Sequence, residues 1–123
     1  MKDLYRRFGR QAQFFMVYIR EAHPADGWVS PGNSRENINI TDPRSQTERN
    51  TTAHKSCLLL NLDLPILVDT MDDTVNKTYQ AWPDRIYIVD KMGKIALMSA
   101  PGPRGFAPGL DEASDWLSNH TTY

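Results

Sequence analysis

Cysteine is nearly absent from this sequence, and no excess of charge of either sign replaces it. Cys57 is the single cysteine among 123 residues, so no disulfide can form within the chain. The formal net charge is −1, with 14 basic and 15 acidic residues. The basic residues form no stripe that could follow a phosphate backbone. We therefore expect no nucleic-acid partner.

Long apolar segments are also missing. The run at residues 14–19 is far shorter than the roughly 20 residues that a membrane-spanning helix needs. Charged residues follow Met1 directly, in place of the apolar core of a signal peptide. We expect the chain as written to be soluble and, by default, cytoplasmic. Its localisation otherwise stays open, because an anchor or signal upstream would lie outside these residues.

The residues that are present suffice for one folded domain. A chain of 123 residues with 40% hydrophobic and 24% charged residues is typical of a soluble globular domain. His54 and His120 lie far apart in sequence, without partners at metal-ligand spacing. We therefore expect no metal site.

Apolar patterning predicts four helices and four strands. The predicted helices cover residues 2–9, 43–61 and 72–79, followed by a last helix that packs Leu110, Ala113, Trp116 and Leu117. The short helix that ends at residue 79 is expected to be capped by Asp72 or Asp73. The predicted strands cover residues 14–19, 64–68, 85–90 and 95–98, the last two joined by a hairpin turn at 91–94. Residues 24–42 form a long loop, rich in Pro, Gly, Asn and Ser.

Two of these elements carry more detailed expectations. The run at 14–19 is typical of a strand that is buried on both faces of a sheet. The helix at 43–61 is expected to be capped by Thr41 or Asp42, and its buried stripe is predicted to be Ala53, Cys57 and Leu60. On this stripe Cys57 would be a buried, inert thiol, although a resolving role is the alternative.

The order of elements predicts an α/β fold of the thioredoxin-like plan: a parallel βαβ half, a β-hairpin and a closing helix. That plan has a central strand before its first helix, and this chain begins at the helix. We therefore expect one domain over residues 1–123 that is N-terminally incomplete. Strand 14–19 should pair with 64–68, and strand 85–89 with 95–98, unless 14–19 and 85–89 close directly on each other.

Residues 18–28, Tyr-Ile-Arg-Glu-Ala-His-Pro-Ala-Asp-Gly-Trp, are similar to the block that marks iodothyronine deiodinases and their microbial relatives. Residues 68–71, residues 83–88 and the Gly102-Pro103 turn also resemble deiodinase segments, so the likeness extends over about residues 4–118. It implies an oxidoreductase that removes iodine reductively from an iodinated phenol or thyroxine-like substrate. A selenolate attacks the iodine, the ring carbon takes a proton, and an external thiol reductant regenerates the selenium.

The resemblance also implies where the nucleophile lies. The family places selenocysteine in a motif of the type Cys-x-Sec-Pro-Pro-Phe before the first helix, which here would be upstream of Met1. Because the selenocysteine codon is normally read as a stop, an automatic gene model would restart at the next methionine. We therefore expect an upstream selenocysteine or cysteine, no resident cofactor, and an inactive chain as written.

Three residues near the end of the first predicted strand are candidate catalytic groups. Glu21 and His23, at spacing i, i+2, come where that strand reaches the carboxyl edge of the sheet, and open α/β folds bind ligands at this edge. Together they could hold a phenol or pass a proton near neutral pH. Tyr18 could join this relay through its hydroxyl group. The alternative is a solvated strand end beside a half-buried tyrosine.

Three further residues are candidates for substrate binding. Trp28 is either a wall for an aromatic substrate or a cover for the core. Pro83 corresponds to the cis-proline that faces the catalytic chalcogen in thioredoxin-like folds, although trans is the default for an X–Pro bond. Arg104 follows the Gly102-Pro103 turn.

Two positions depart from the animal enzymes. Those enzymes carry an arginine just before the Gly-Pro turn, where this chain has Pro101, so the role of that arginine does not transfer to Arg104. They carry a second histidine where this chain has Asp42-Pro43. The substrate therefore stays open between an iodinated phenol and another halogenated phenol.

Two other functions stay open beside the deiodinase-like enzyme. One is a thiol or selenol peroxidase on the same scaffold. The other is a truncated, non-catalytic binding module. A homodimer is compatible with any of the three.

Overall fold

The computed structural model describes residues 1–22 and 40–121. Two of the candidate site residues, His23 and Trp28, lie outside the described residues, as does most of the predicted loop at 24–42. The statements below concern the described part of the chain.

The described residues contain both helices and strands, which confirms a mixed α/β fold. The helices are α1 (Lys2–Phe8), α2 (Gln46–Leu60), α3 (Thr74–Tyr79) and α4 (Phe106–His120). The strands are β1 (Met16–Tyr18), β2 (Ile66–Val68), β3 (Tyr87–Val89) and β4 (Ile95–Met98). Each predicted element is therefore present; β4 has the predicted bounds, and β1, β2 and β3 are shorter than predicted.

The four described strands form two separate pairs. Strand β1 runs parallel to β2, with Met16 opposite Ile66 and Tyr18 opposite Val68. Strands β3 and β4 form an antiparallel hairpin whose turn contains Gly93 at a φ of +78°, a value that favours glycine. Both predicted pairings are confirmed, and the alternative of direct closure between β1 and β3 does not occur among the described residues.

The hydrophobic core lies between the two ends of the chain. Leu4 and Phe8 of α1 are buried against Ala113 and Leu117 of α4, together with Ile86 at the start of the hairpin. The i, i+4 pair predicted for α1 and two of the residues predicted for α4 are thus core residues. Because α4 also packs on β4, it joins the first helix to the hairpin.

Helix α2 begins later than expected and buries a different stripe. Its N-cap is Ser45, whose hydroxyl accepts a hydrogen bond of 3.2 Å from the Glu48 N–H, so the expected cap at Thr41 or Asp42 is wrong. Ala53 is buried as predicted, but Cys57 is only partly buried and Leu60 is 54% exposed. Among the described elements, the main packing partner of α2 is β2. The predicted stripe fails at the C-terminal turn of α2, where Leu58, Leu59 and Leu60 are all exposed.

The prediction that strand 14–19 is buried on both faces is also wrong. Val17 is 37% exposed, and its partner Leu67 is 50% exposed. Helix α2 packs against β2, and alternate residues of a strand point to opposite faces. The second face of the β1–β2 pair is therefore open to solvent at these two residues.

Helix α4 starts at Phe106, within a Pro- and Gly-rich segment at residues 101–109. Pro108 lies in its first turn, where a missing N–H costs no helical hydrogen bond. Gly109 is buried against Ser99, and a Cβ at this glycine would lie 2.6 Å from the Ser99 Cβ. The glycine therefore lets the helix approach the end of the hairpin.

Candidate active site

The carboxyl end of the β1–β2 pair gathers several polar side chains. Tyr18 is the last residue of β1, and its carbonyl oxygen accepts a 2.8 Å hydrogen bond from the Asp69 N–H just beyond β2. The Tyr18 hydroxyl group is buried and has no hydrogen-bond partner among the described residues. A buried phenol without a partner is available to a ligand or to a neighbouring acid.

Glu21 follows β1 at the same edge and is half-buried. Burial raises the pKa of its carboxyl group above the ordinary value of 4.5; the Asp42 carboxylate raises this pKa further, and the Arg49 guanidinium opposes both. A carboxyl group with a raised pKa can retain its proton closer to neutral pH, as a general acid must. Asp42 occupies one of the two positions where this chain departs from the animal enzymes, and it acts electrostatically on Glu21.

The buried acid at this edge is Asp69, which the sequence did not single out. Its side chain is 1% exposed, and its carboxylate accepts three hydrogen bonds of 2.9 Å, from the N–H groups of Thr70, Val75 and Asn76. It therefore caps α3 from five residues before the helix. The expected caps were Asp72 or Asp73; Asp73 does hold the N-cap position, but its side chain makes no cap hydrogen bond.

The Asp73 carboxylate binds Arg49 of α2 instead. The Arg49 Nη1 donates hydrogen bonds to the Thr70 carbonyl oxygen at 2.7 Å and to the Asp73 Oδ1 at 3.0 Å. Arg49 is 3% exposed, and its Nε is buried without a hydrogen-bond partner in the described part of the chain. The helical pattern of the sequence did not predict this burial, because arginine is rarely buried unless it is paired with an acid.

The cis-proline expected at Pro83 is confirmed, since the Trp82–Pro83 peptide bond is cis. The Arg20 guanidinium lies over the Trp82 ring, 5.5 Å from its centroid, as in a cation–π contact. Arg20 comes directly before Glu21. The structure therefore brings the end of β1 and the cis-proline segment to one edge of the molecule.

A second cis-proline lies at the Gly102–Pro103 bond, which the sequence did not predict. The Gly102 N–H donates to the Asp84 carbonyl oxygen at 2.9 Å, so the two cis-proline segments are neighbours. Burial raises the pKa of the Asp84 carboxyl group. Arg104 is exposed, and no hydrogen bond or ion pair found in the described part of the chain connects it with Tyr18 or Glu21.

Three further expectations concern Cys57, a metal site and a membrane-spanning helix. Cys57 lies only partly buried on α2, so the expectation of a fully buried thiol is wrong. Within residues 1–22 and 40–121 no three His, Cys, Asp or Glu side chains cluster in a way that could hold a metal ion. No helix in the same residues has the length and apolar character to span a membrane.

These features define an α/β protein with a tyrosine and a half-buried glutamate at a strand end, beside a cis-proline. Comparison with known proteins identifies its family: the model of the iodothyronine deiodinases matches residues 1–121, and the chain belongs to this family. The resemblance read from residues 18–28 is therefore confirmed.

Individual relatives agree with this assignment. The chain is similar to the type II iodothyronine deiodinases of Neoceratodus forsteri, Rattus norvegicus and Homo sapiens. The first is 39% identical over 94% of this chain and 43% of its own length. The rat protein is 36% identical over 97% of the chain and 44% of its own length, and the human protein 34% over 97% and 43%. The chain thus spans less than half the length of these relatives.

Proposed function

We propose that this domain belongs to a deiodinase-like oxidoreductase, which removes iodine reductively from an iodinated phenol or thyroxine-like substrate. The observation that carries the proposal is that the end of β1 holds two candidate groups: Glu21, whose carboxyl pKa is raised by burial, and the buried Tyr18 hydroxyl, which has no hydrogen-bond partner among the described residues. The cis-proline next to this edge and the family of the chain support the same assignment.

The reaction needs a soft nucleophile, a proton donor and a reductant. A selenolate or thiolate from outside these 123 residues would take the iodine, and the carbon–iodine bond would break as the ring carbon gains a proton. Two equivalents of an external thiol would then return the nucleophile to its reduced state and release iodide. In this scheme Glu21 supplies the proton to the ring carbon, and the Tyr18 hydroxyl holds the phenolic oxygen or relays the proton.

His23 and Trp28 extend this scheme beyond the described residues. His23 would share the proton with Glu21, and Trp28 would line the aromatic part of the substrate. Pro83 would present a surface without an N–H group to substrate and nucleophile. Arg104 is proposed as a contact for the polar end of the substrate, reached from the turn after Pro103.

The two strand pairs suggest how the nucleophile would be positioned. We propose that both pairs belong to one thioredoxin-like sheet, and that its central strand lies outside the described residues. The separation of β1–β2 from β3–β4 and the exposed apolar side chains of the first pair support this arrangement. A strand inserted between β1 and β3 would end at the edge where Tyr18, Glu21 and Pro83 lie.

Kinetics in a protein that carries a nucleophile-bearing segment before residue 1 would test the proposed site. His23→Ala should reduce turnover of an iodinated phenol by about 10²–10⁴-fold, the usual loss for a general acid–base group. His54→Ala, on the exposed face of α2, is the matched control and should leave turnover unchanged. Equal, mild effects of the two substitutions would exclude His23 from the site.

The chain of 123 residues provides a second test of the proposed nucleophile. It should show no deiodination, because Cys57 is its single cysteine and lies on a helix away from the strand ends. Deiodination by this chain that Cys57→Ser abolishes would contradict the proposal. Reduction of a hydroperoxide in preference to an iodinated phenol would favour the peroxidase, and no turnover of either by the extended protein would favour a binding module.

A further inference from the structure

Arg49 is a buried charged residue, among those that the structure describes, to which the proposed reaction gives no role. It is 3% exposed, and burial of a guanidinium is costly unless its hydrogen bonds and charge are matched. One nitrogen, Nη1, makes both of its described contacts, to the Thr70 carbonyl oxygen and to the Asp73 carboxylate. The Nε is also buried, and it has no hydrogen-bond partner among the described residues.

The fold brings this side chain to the end of β1. Tyr18 and Asp69 are joined by a backbone hydrogen bond, and Arg49 binds the residue after Asp69. Gln46, one turn earlier on α2, donates to the Asp69 carbonyl oxygen at 3.2 Å. The first turns of α2 are therefore fixed to the end of β2, beside the place where the chain leaves β1 toward Glu21.

We propose that Arg49 is a positioning residue for Glu21: its buried guanidinium, fixed by Thr70 and Asp73, holds a positive charge against the Glu21 carboxyl group at the end of β1. This inference rests on the proposed function, in which Glu21 is the proton donor. Arg49 itself touches no reacting atom.

The charges around Glu21 agree with this assignment. Burial and the Asp42 carboxylate raise the pKa of Glu21, while Arg49 lowers it. The Asp69 carboxylate accepts hydrogen bonds from three backbone N–H groups, and the Asp73 carboxylate accepts one from Arg49. Among the described residues, Arg49 is thus a cation that favours the ionised form of Glu21. A general acid must be able to lose its proton as well as hold it.

The test is a carbon-13 NMR titration of the Glu21 carboxyl group, in a protein that carries the nucleophile-bearing segment. Arg49→Gln should displace the Glu21 titration to higher pH, whereas Asp42→Asn should displace it to lower pH. Arg49→Lys keeps the charge and should leave the titration near that of the unsubstituted protein. A merely structural role for Arg49 predicts no change in Glu21 for any folded variant, and that result would overturn the proposal.

Kinetics provide the second readout. Arg49→Gln should reduce kcat by up to about 10²-fold, the loss expected when a catalytic group is misplaced. Its pH–rate profile should move in the same direction as the Glu21 titration, and Arg49→Lys should restore most of the activity. A reduced kcat with an unmoved pH profile would also overturn the proposal.

An unfolded Arg49→Gln variant would not end the test. In the unsubstituted protein, the nitrogen-15 resonance of the Arg49 Nε should shift with the same midpoint as the Glu21 carboxyl carbon. An Nε resonance that ignores the ionisation of Glu21 would overturn the inference. If the protein shows the coupled titration but does not deiodinate any iodinated phenol, the proposed function fails and the link between Arg49 and Glu21 stands.

Discussion

Asp69 should be the most costly single acid to remove from this domain. Its carboxylate is 1% exposed and accepts hydrogen bonds from three backbone N–H groups, two of which belong to the first turn of α3. Asp69→Ala leaves all three donors without their acceptor. The free energy of unfolding should therefore fall, and α3 should loosen at its first turn.

The magnitude follows from what each donor can do after the substitution. The Asn76 N–H is buried, and an unsatisfied buried donor costs about 1–3 kcal/mol. Thr70 is exposed and Val75 half-buried, so water can replace part of what they lose. Their loss should resemble that of a helix N-cap, about 0.5–2 kcal/mol. We expect about 3 kcal/mol in total, a large part of a domain stability of about 5–15 kcal/mol.

Urea unfolding, followed by far-ultraviolet circular dichroism, measures this loss as a lower midpoint at an unchanged slope. Asp63→Asn is the matched control, since Asp63 is exposed and such substitutions change stability by about 0.5 kcal/mol or less. Hydrogen exchange at the Asn76 amide gives a local readout that needs no cooperative transition. An Asp69→Ala variant that is as stable as Asp63→Asn, with Asn76 equally protected, would refute the reasoning.

Three further predictions concern Glu21, the Gly102 turn and the open sheet edge. Because the folded protein binds the Glu21 proton more tightly than the unfolded chain does, stability should fall as the pH rises from 4.5 through the raised pKa. Glu21→Gln should flatten that part of the pH–stability curve, and an unchanged slope would contradict the prediction. Gly102→Ala would place a Cβ in steric overlap with the Asp84 carboxylate and should cost about 1–3 kcal/mol of stability. In thermal melts, the double variant with Asp84→Ala should regain most of this loss, and purely additive losses would count against the clash. Val17 lies between two residues whose backbone groups bond toward β2, so its own N–H and C=O face the edge of the pair that no described strand covers. Val17→Lys should lower self-association in sedimentation velocity more than Asn119→Lys, which adds the same charge at an exposed position of α4. No difference between the two variants would exclude this edge as the contact.

Local sequence patterns predicted which segments form helices and strands. The spacing of Leu4 and Phe8 placed α1 and its buried face, and Gly93 placed the hairpin turn, because such signals depend on residues within one or two turns of each other. The block around Tyr18 and Glu21 identified the family and the strand end that carries the candidate site. The pairing of the strands also followed from the order of elements.

Tertiary structure alone decided which polar residues are buried at that strand end. Three acids follow β2 within five residues, and local sequence preference favoured Asp72 or Asp73 as the cap of α3. Instead, the Asp69 N–H donates to the Tyr18 carbonyl oxygen, and this hydrogen bond holds the Asp69 carboxylate at the first turn of α3. The burial of Arg49 likewise depends on the packing of α2 against the end of β2, which no helical period encodes. The exposure of Val17 has the same origin, since a strand's burial is set by what packs on each face and not by its own composition.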